Sequence, residues 1–276
     1  MVLLYIPPVQ NLLRREVTAY ASKATGMQIQ VERIDLRFPL NLLVRGVEVI
    51  QQPDTLLSLE SLNVRVQAWP LLKGKVEVDD VTLSQVAVNS ADLIEGMQIK
   101  GVLGRFFLQS HGVDLSNETA VVNRAELSDT HIQLLMNDTT TAPKDTTASA
   151  PVNWKVDLHQ LKLKNISFDM QLPADSLKMS AYIGEATVDD AKADLKNQFY
   201  GLRQFLLSGA SASYDTGEAG PTEGFDASHM AVRNIRIGLD SLLYEGRNMN
   251  AVIREITMEE RSGLSITSLT GRLFSN

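Results

Sequence analysis

The sequence predicts a mainly β protein: an elongated, repetitive β-sheet folded into a half-pipe groove, preceded by an N-terminal amphipathic helix. Three observations predict this fold. A helical period is confined to residues 9–25, apolar residues recur with a period of two after Gly26, and the segment 75–136 recurs without a gap at 155–216.

Composition indicates an ordinary folded chain and excludes several classes of function. The 276 residues are 44% hydrophobic and 21% charged, which is typical of a protein with a sizeable apolar interior. The net charge of −7, with no cluster of Lys and Arg, argues against nucleic acid as a partner. Cysteine is absent, which excludes disulfides, thiolate metal sites and cysteine nucleophiles.

The first eight residues are apolar but too few to cross a bilayer, which needs about 20 apolar residues. They also lack the features of a signal peptide. We interpret residues 1–8 as the stub of a transmembrane anchor, with Leu3, Leu4, Tyr5 and Ile6 close to the membrane and Tyr5 at the headgroup level. An ordinary apolar N-terminus is the alternative.

Residues 9–25 carry an amphipathic helical pattern. Pro8 suits the first position of a helix, and Gly26 suits the left-handed residue just beyond its end. Such a helix could cap the first open edge of the sheet or lie on a membrane. We favour the cap, because a helix that binds a membrane surface usually carries more basic residues.

From Gly26 onwards the apolar residues alternate in the manner of strands, but with periodic steps of three. Val81 and Leu83 are followed by Val86 and Val88. In an unbroken strand a step of three reverses the face, so each such step predicts a bulge or corner that restores it. The predicted sheet therefore bends and keeps one apolar side.

The internal repeat organises the chain into a capping region at 9–74, copies at 75–136 and 152–216, and a partial third copy at 229–276. The offset between the first two copies is 80, with Gly104 matching Gly184. In the third copy, Ile235 and Ile237 are matched to Leu161 and Leu163. The intervening segments 137–151 and 217–228 are predicted to be flexible surface loops. The third copy ends without a polar cap, which predicts a longer array.

No catalytic or metal-binding pattern is present in the sequence. The four histidines, His111, His131, His159 and His229, have no pair at the spacing of two ligands on one helix face. Nucleophile-elbow and phosphate-loop patterns are also missing. We therefore predict a protein that is not an enzyme and that holds no cofactor or metal.

Several short segments resemble the beginning of TamB-like proteins of the AsmA-like superfamily, particularly those of Bacteroidota. The resemblance lies in the order and spacing of the segments and is close over about the first 90 residues. The segments are Ile6-Pro-Pro-Val-Gln-Asn11, Ser22-Lys-Ala-Thr-Gly26, Phe38-Pro-Leu-Asn-Leu42, Gly46-Val-Glu-Val49, Asp54-Thr-Leu-Leu57 and Leu71-Leu-Lys-Gly74.

The resemblance implies an N-terminal portion of a periplasmic protein that one helix anchors in the inner membrane. It implies a hydrophobic groove that moves phospholipid between the inner and outer membranes and supports outer-membrane integrity. The alternative is the scaffold of a translocation and assembly module for outer-membrane protein biogenesis. The membrane helix and the C-terminal part that contacts an outer-membrane assembly factor are both absent from this sequence.

The groove hypothesis predicts which residues line the groove. Ten apolar residues from the three copies should share one face and contact phospholipid acyl chains. They are Val81, Leu83, Val86, Val88, Leu161, Leu163, Ile166, Phe168, Ile235 and Ile237. A face closed into a dry core is the competing interpretation.

Overall fold

The computed structural model describes residues 7–67, 78–91, 93, 96–114, 117–137, 153–217 and 220–275. Leu3, Leu4, Tyr5 and Ile6, and most of the predicted loop at 137–151, lie outside these residues.

The described chain is one α-helix followed by a single 13-stranded sheet, with a short 3₁₀ helix at Pro173–Asp175 between two of the strands. Helix α1 spans Pro7–Thr25. The strands are β1 (Gln28–Arg37), β2 (Asn41–Gln51), β3 (Asp54–Val66), β4 (Val78–Asn89), β5 (Met97–Asp114), β6 (Thr119–Met136), β7 (Lys155–Leu172), β8 (Leu177–Asp194), β9 (Phe199–Leu202), β10 (Gln204–Asp215), β11 (His229–Glu245), β12 (Asn248–Glu260) and β13 (Ser265–Ser275). The prediction of a mainly β protein is confirmed.

The strands pair in chain order, and every pair except β6 with β7 is antiparallel. β9 and β10 share one position between β8 and β11, interrupted at Arg203. The sheet is therefore a meander with one parallel junction, at the boundary between the two sequence copies.

The offset of 80 residues reappears in the backbone of the two copies. Gln85 and Asn165 both have left-handed φ angles, of +50° and +54°, and so do Asp129 and Gly209, of +54° and +62°. The second copy begins parallel to the end of the first because each copy has three strand positions. Strands within a copy alternate in direction, so the third strand runs the same way as the first. A next copy in the same orientation must therefore begin parallel to that third strand.

Residues 229–276 depart from the predicted third copy. β11 pairs antiparallel with β10, whereas β7 pairs parallel with β6. The strands after His229 thus run opposite to their supposed counterparts, and the matching of Ile235 to Leu161 has no structural equivalent. Apolar alternation is the same when a strand is reversed, so it carries no information on direction.

The segment between β10 and β11 is organised by one carboxylate in its described part. Asp226 accepts hydrogen bonds from the backbone N–H and hydroxyl of Thr222, at 3.0 and 3.1 Å, and from the N–H of Ser228 at 3.0 Å. The Nδ1 of the buried His229 lies 2.9 Å from the same carboxylate. These hydrogen bonds, led by that of Thr222, hold the pKa of Asp226 far below its ordinary value.

Helix α1 lies along the outer edge of β1. The side chains of Gln10 and Arg14 donate to the carbonyls of Leu36, at 3.0 Å, and Glu32, at 2.8 Å. The hydroxyl of Ser22 accepts from the N–H of Ile29 at 3.0 Å. The helix thereby occupies backbone groups that an edge strand would otherwise offer to another chain.

Candidate functional site

One face of the sheet is apolar across all its strands, and we call it the apolar face. Residues opposite one another in a ladder point to the same side, so the register identifies its members strand by strand. All ten predicted lining residues belong to it: Val81, Leu83, Val86, Val88, Leu161, Leu163, Ile166, Phe168, Ile235 and Ile237. Glu260, opposite Val232, is a charged residue at a position of this face.

A row of left-handed residues crosses the sheet, which we call the first kink row. Six strands, β2, β4, β6, β7, β10 and β11, each contribute one left-handed residue to it. In that order the residues are Gly46, Gln85, Asp129, Asn165, Gly209 and Asn234. At each of these positions the ladder lacks a pair, while the register on both sides continues with little or no shift. The sequence predicted a bulge or a corner at each step of three; these backbone angles, with one residue skipped on both strands, show a corner rather than a bulge.

The side chains of the first kink row lie on the opposite, outer face. The Nδ2 of Asn165 donates to Oδ1 of Asp129 at 2.9 Å, and the hydroxyl of Tyr182 donates to Oδ1 of Asn165 at 3.2 Å. Hydrogen bonds from Asn165 and Ser128 lower the pKa of Asp129, with a smaller contribution from Lys164. Polar residues from both sides of the kink thus meet on one face, which leaves the apolar residues together on the other.

A second kink row crosses β7 and β8 where His159 and Asp190 are skipped in the ladder, and it carries charged groups on the outer face. Asp190, with φ of +49°, accepts from Nε of Arg203 at 2.7 Å and lies 3.2 Å from Nδ1 of His159. Its pKa is lowered by Arg203 and His159, and the pKa of Arg203 is raised by Asp190. The two rows divide strands such as β7 and β8 into three short straight segments.

The apolar face is not buried like a protein core. Among the described residues no large side chain is fully buried, and the most buried apolar residues include Ala186, Ala210 and Ala251, at 3–4% exposure. A compact monomer of 30.4 kDa exposes about 11,800 Å². This chain exposes 17859 Å², roughly half as much again, and among the described residues no second layer covers the apolar face.

The apolar face contains a hollow of about 190 Å³ whose surface is apolar. Its floor is Ala181 and Ala212, which are neighbours across β8 and β10. Larger side chains of β7, β10 and β11 stand around it: Phe168, Tyr214 and Met230. Of these residues, Phe168 alone is among the ten predicted lining residues. In the sequence, the signal for the hollow is the pair Ala181 and Ala212 at apolar positions of the second copy.

The two edges of the sheet differ. The β1 edge is covered by α1, whereas β13 pairs only with β12 among the described strands. Almost every residue of β13 is exposed, including Leu273 at 47% and Phe274 at 75%. The β13 edge therefore presents backbone groups and apolar side chains together.

The histidines lie apart from the apolar face, in local polar contacts. On the outer face, Nδ1 of His131 lies 2.6 Å from the hydroxyl of Ser167, and its Nε2 lies 3.5 Å from Asp169. His111 contacts Asn123. Among the described residues, no three His, Asp or Glu side chains are grouped as a metal would require.

No helix in the described part of the chain is long and apolar enough to span a bilayer. No family model matches the sequence, and no curated protein matches it. The geometry of the apolar face therefore carries the functional argument.

Proposed function

We propose that the apolar face is the lining of a groove through which phospholipid acyl chains move between two membranes. The single observation that carries the proposal is a face that is apolar on every strand and that no other described layer covers. Ordinary monomers rarely expose contiguous apolar patches beyond a few hundred Å², so a face of this kind marks a site of interaction.

The kink rows support a concave shape for this face. Thr130 and Ala186, which adjoin the first kink row on the apolar side, are small and nearly fully buried, at 4% and 3% exposure. At the inside of a bend, side chains from the two adjoining segments converge and shield the small residues between them from solvent. On the outer side of the bend, Asp129, Asn165 and Tyr182 have room to form polar contacts.

Energetics explain why a groove is needed for this transport. Moving a lipid tail into water costs about 0.8 kcal/mol per CH₂. Two chains of roughly sixteen carbons would cost on the order of 25 kcal/mol, a prohibitive barrier. An apolar groove keeps the tails out of water along the whole path, while the headgroup remains hydrated.

Location and partners follow from the same proposal and the resemblance of the first 90 residues. The protein would lie in the periplasm, held in the inner membrane by a helix preceding Leu3, and would reach an outer-membrane assembly factor through a later part of the chain. The role needs no enzyme activity, cofactor, metal or nucleic acid.

The test places a photo-crosslinking residue at Leu83, Leu163 and Ile237 in the full protein, with Thr82 and Lys162 as outer-face controls. Lipid adducts at all three apolar positions and none at the controls are expected. Leu83→Asp and Leu163→Asp should impair envelope integrity, because an unpaired charge in an apolar site costs several kcal/mol. Absence of adducts, together with Asp variants that preserve envelope integrity, would refute the proposal.

The β13 edge favours a second candidate, a scaffold for the assembly of outer-membrane β-proteins. An exposed strand edge accepts a client strand by β-augmentation. Crosslinks from Thr270 or Arg272 to client strands, without lipid adducts on the apolar face, would favour this function over the first.

A further inference from the structure

The hollow in the apolar face differs from the rest of that face in shape. Phe168, Ala181, Ala212 and Val232 form one transverse row of the sheet. Two adjacent small residues between two large ones leave a depression in that row. The next row, with Met179, Tyr214 and Met230, closes it on one side.

The hollow is a property of the second sequence copy. In the first copy the positions equivalent to Phe168, Ala181 and Ala212 are Val88, Gly101 and Ile132, and Ile132 occupies the place of Ala212. One substitution between the copies therefore opens the floor.

We propose that this hollow is a binding seat for one alkyl chain, the place where a lipid tail rests within the groove. The proposal rests on the proposed function and adds a defined position to it. An apolar cavity of about 150 Å³ holds benzene, so 190 Å³ accommodates a stretch of roughly six methylenes.

The chemistry of the lining selects an alkyl chain over a peptide. The exposed surface of the hollow is apolar. The hydroxyls of Ser180 and Ser213 lie on the outer side, where they bond each other at 2.7 Å. A peptide segment would bring amide groups that this lining cannot satisfy. An alkyl chain brings no hydrogen-bonding group.

The methionines give the seat an adaptable wall. Met179 and Met230 flank Tyr214 in the row beside the floor. Unbranched thioether side chains fill irregular gaps and change conformation at low cost. Chains that differ in bends or branches can therefore occupy the same seat.

The test measures binding of radiolabelled hexadecanoate to the purified, delipidated protein by equilibrium dialysis. Ala212→Trp fills the hollow and should weaken binding at least tenfold. Ser211→Trp places the same bulk on the outer face of the same strand and should change affinity less than twofold. Unchanged far-UV dichroism and thermal unfolding for both variants establish that the fold is retained.

A second measurement does not depend on tolerance of tryptophan. A photo-crosslinking residue at Met179 should form adducts with hexadecanoate, whereas one at Tyr182, on the outer face, should not. Adducts at Met179 that disappear in an excess of unlabelled hexadecanoate support the seat.

Failure of the seat and failure of the groove give different results. If Ala212→Trp binds like the parent while Leu163→Asp abolishes binding, the chain rests elsewhere on the apolar face and the seat is wrong. If the parent protein neither binds hexadecanoate nor gives adducts at Met179, the seat and the proposed function are both overturned.

Discussion

Gly104 lies opposite Asp129 in the first kink row, where two strands approach too closely for a side chain on one of them. A Cβ at Gly104 would lie 2.7 Å from Cβ of Asp129 and 2.9 Å from its carbonyl oxygen. Asp129 has a left-handed φ of +54°, so its backbone cannot easily move away. Gly104→Ala should therefore strain the kink.

The structure offers a matched control on the same strand. A Cβ at Gly101 would meet the carbonyl oxygen of His131 at 3.5 Å and Ile132 at 3.9 Å, both ordinary contacts. Overpacking costs about 1–3 kcal/mol, so Gly104→Ala should reduce the free energy of unfolding by about 2 kcal/mol. Gly101→Ala should be neutral or stabilise by about 0.5 kcal/mol, because it restricts the unfolded chain.

Thermal and urea unfolding followed by far-UV dichroism measure both effects. For a chain of this size, 2 kcal/mol corresponds to a fall of about 4–8 °C in Tm. The double variant Gly104→Ala/Asp129→Gly should recover about 1 kcal/mol, since it removes the closest contact. Equal stability of the two single variants, or no recovery in the double variant, would refute the assignment of strain to the kink row.

Three further predictions concern single side chains. Asn165→Val should destabilise by about 1–2 kcal/mol in urea unfolding and Asn165→Gly by much less, because φ is +54° there and a β-branched residue resists it; equal losses would contradict this. Hydrogen bonds, of which that from Ser262 has the largest effect, lower the pKa of Glu260 from 4.5 to about 2. The stability that ionised Glu260 gives the folded protein is therefore fully present above pH 4.5 and is lost as the pH falls through about 2. The Tm difference between the parent and Glu260→Gln should accordingly shrink between pH 6 and pH 2.5. Arg14→Ala should speed amide hydrogen exchange in β1 but not in β7, since Arg14 donates to the carbonyls of Val31 and Glu32; unchanged exchange would argue against the cap.

Local patterning predicted much of this architecture, because bends and faces depend on short-range spacing. The step of three between Leu83 and Val86 marks the left-handed Gln85, and the equivalent step after Leu163 marks Asn165. At each of these positions one additional residue interrupts the apolar alternation, so the backbone irregularity is visible in the sequence. The identity of Gly104 with Gly184 has the same origin, since a Cβ at Gly104 would lie 2.9 Å, and one at Gly184 3.0 Å, from a carbonyl oxygen of the neighbouring strand.

Direction and curvature could not be predicted in the same way. The strands after His229 alternate as expected but run the other way, because alternation is unchanged by reversal. The parallel junction of β6 and β7 depends on the number of strands in each copy, which spacing alone leaves open. The hollow depends on contacts between neighbouring strands, in that Ala181 and Ala212 become adjacent only once β8 pairs with β10.

The arrangement of the described strands in a single layer also determines how the sheet is stabilised. Since the described residues form no second layer, each strand should gain most of its stability from its two neighbours, as in a linear array of repeats. A lesion such as Gly104→Ala should then increase hydrogen exchange mainly in β4, β5 and β6 and leave β11 and β12 little changed. A sheet closed around a common core would instead lose protection in all strands together. Native-state exchange of this one variant thus distinguishes an open apolar face from a closed core without any lipid, and uniform loss of protection would contradict the open groove.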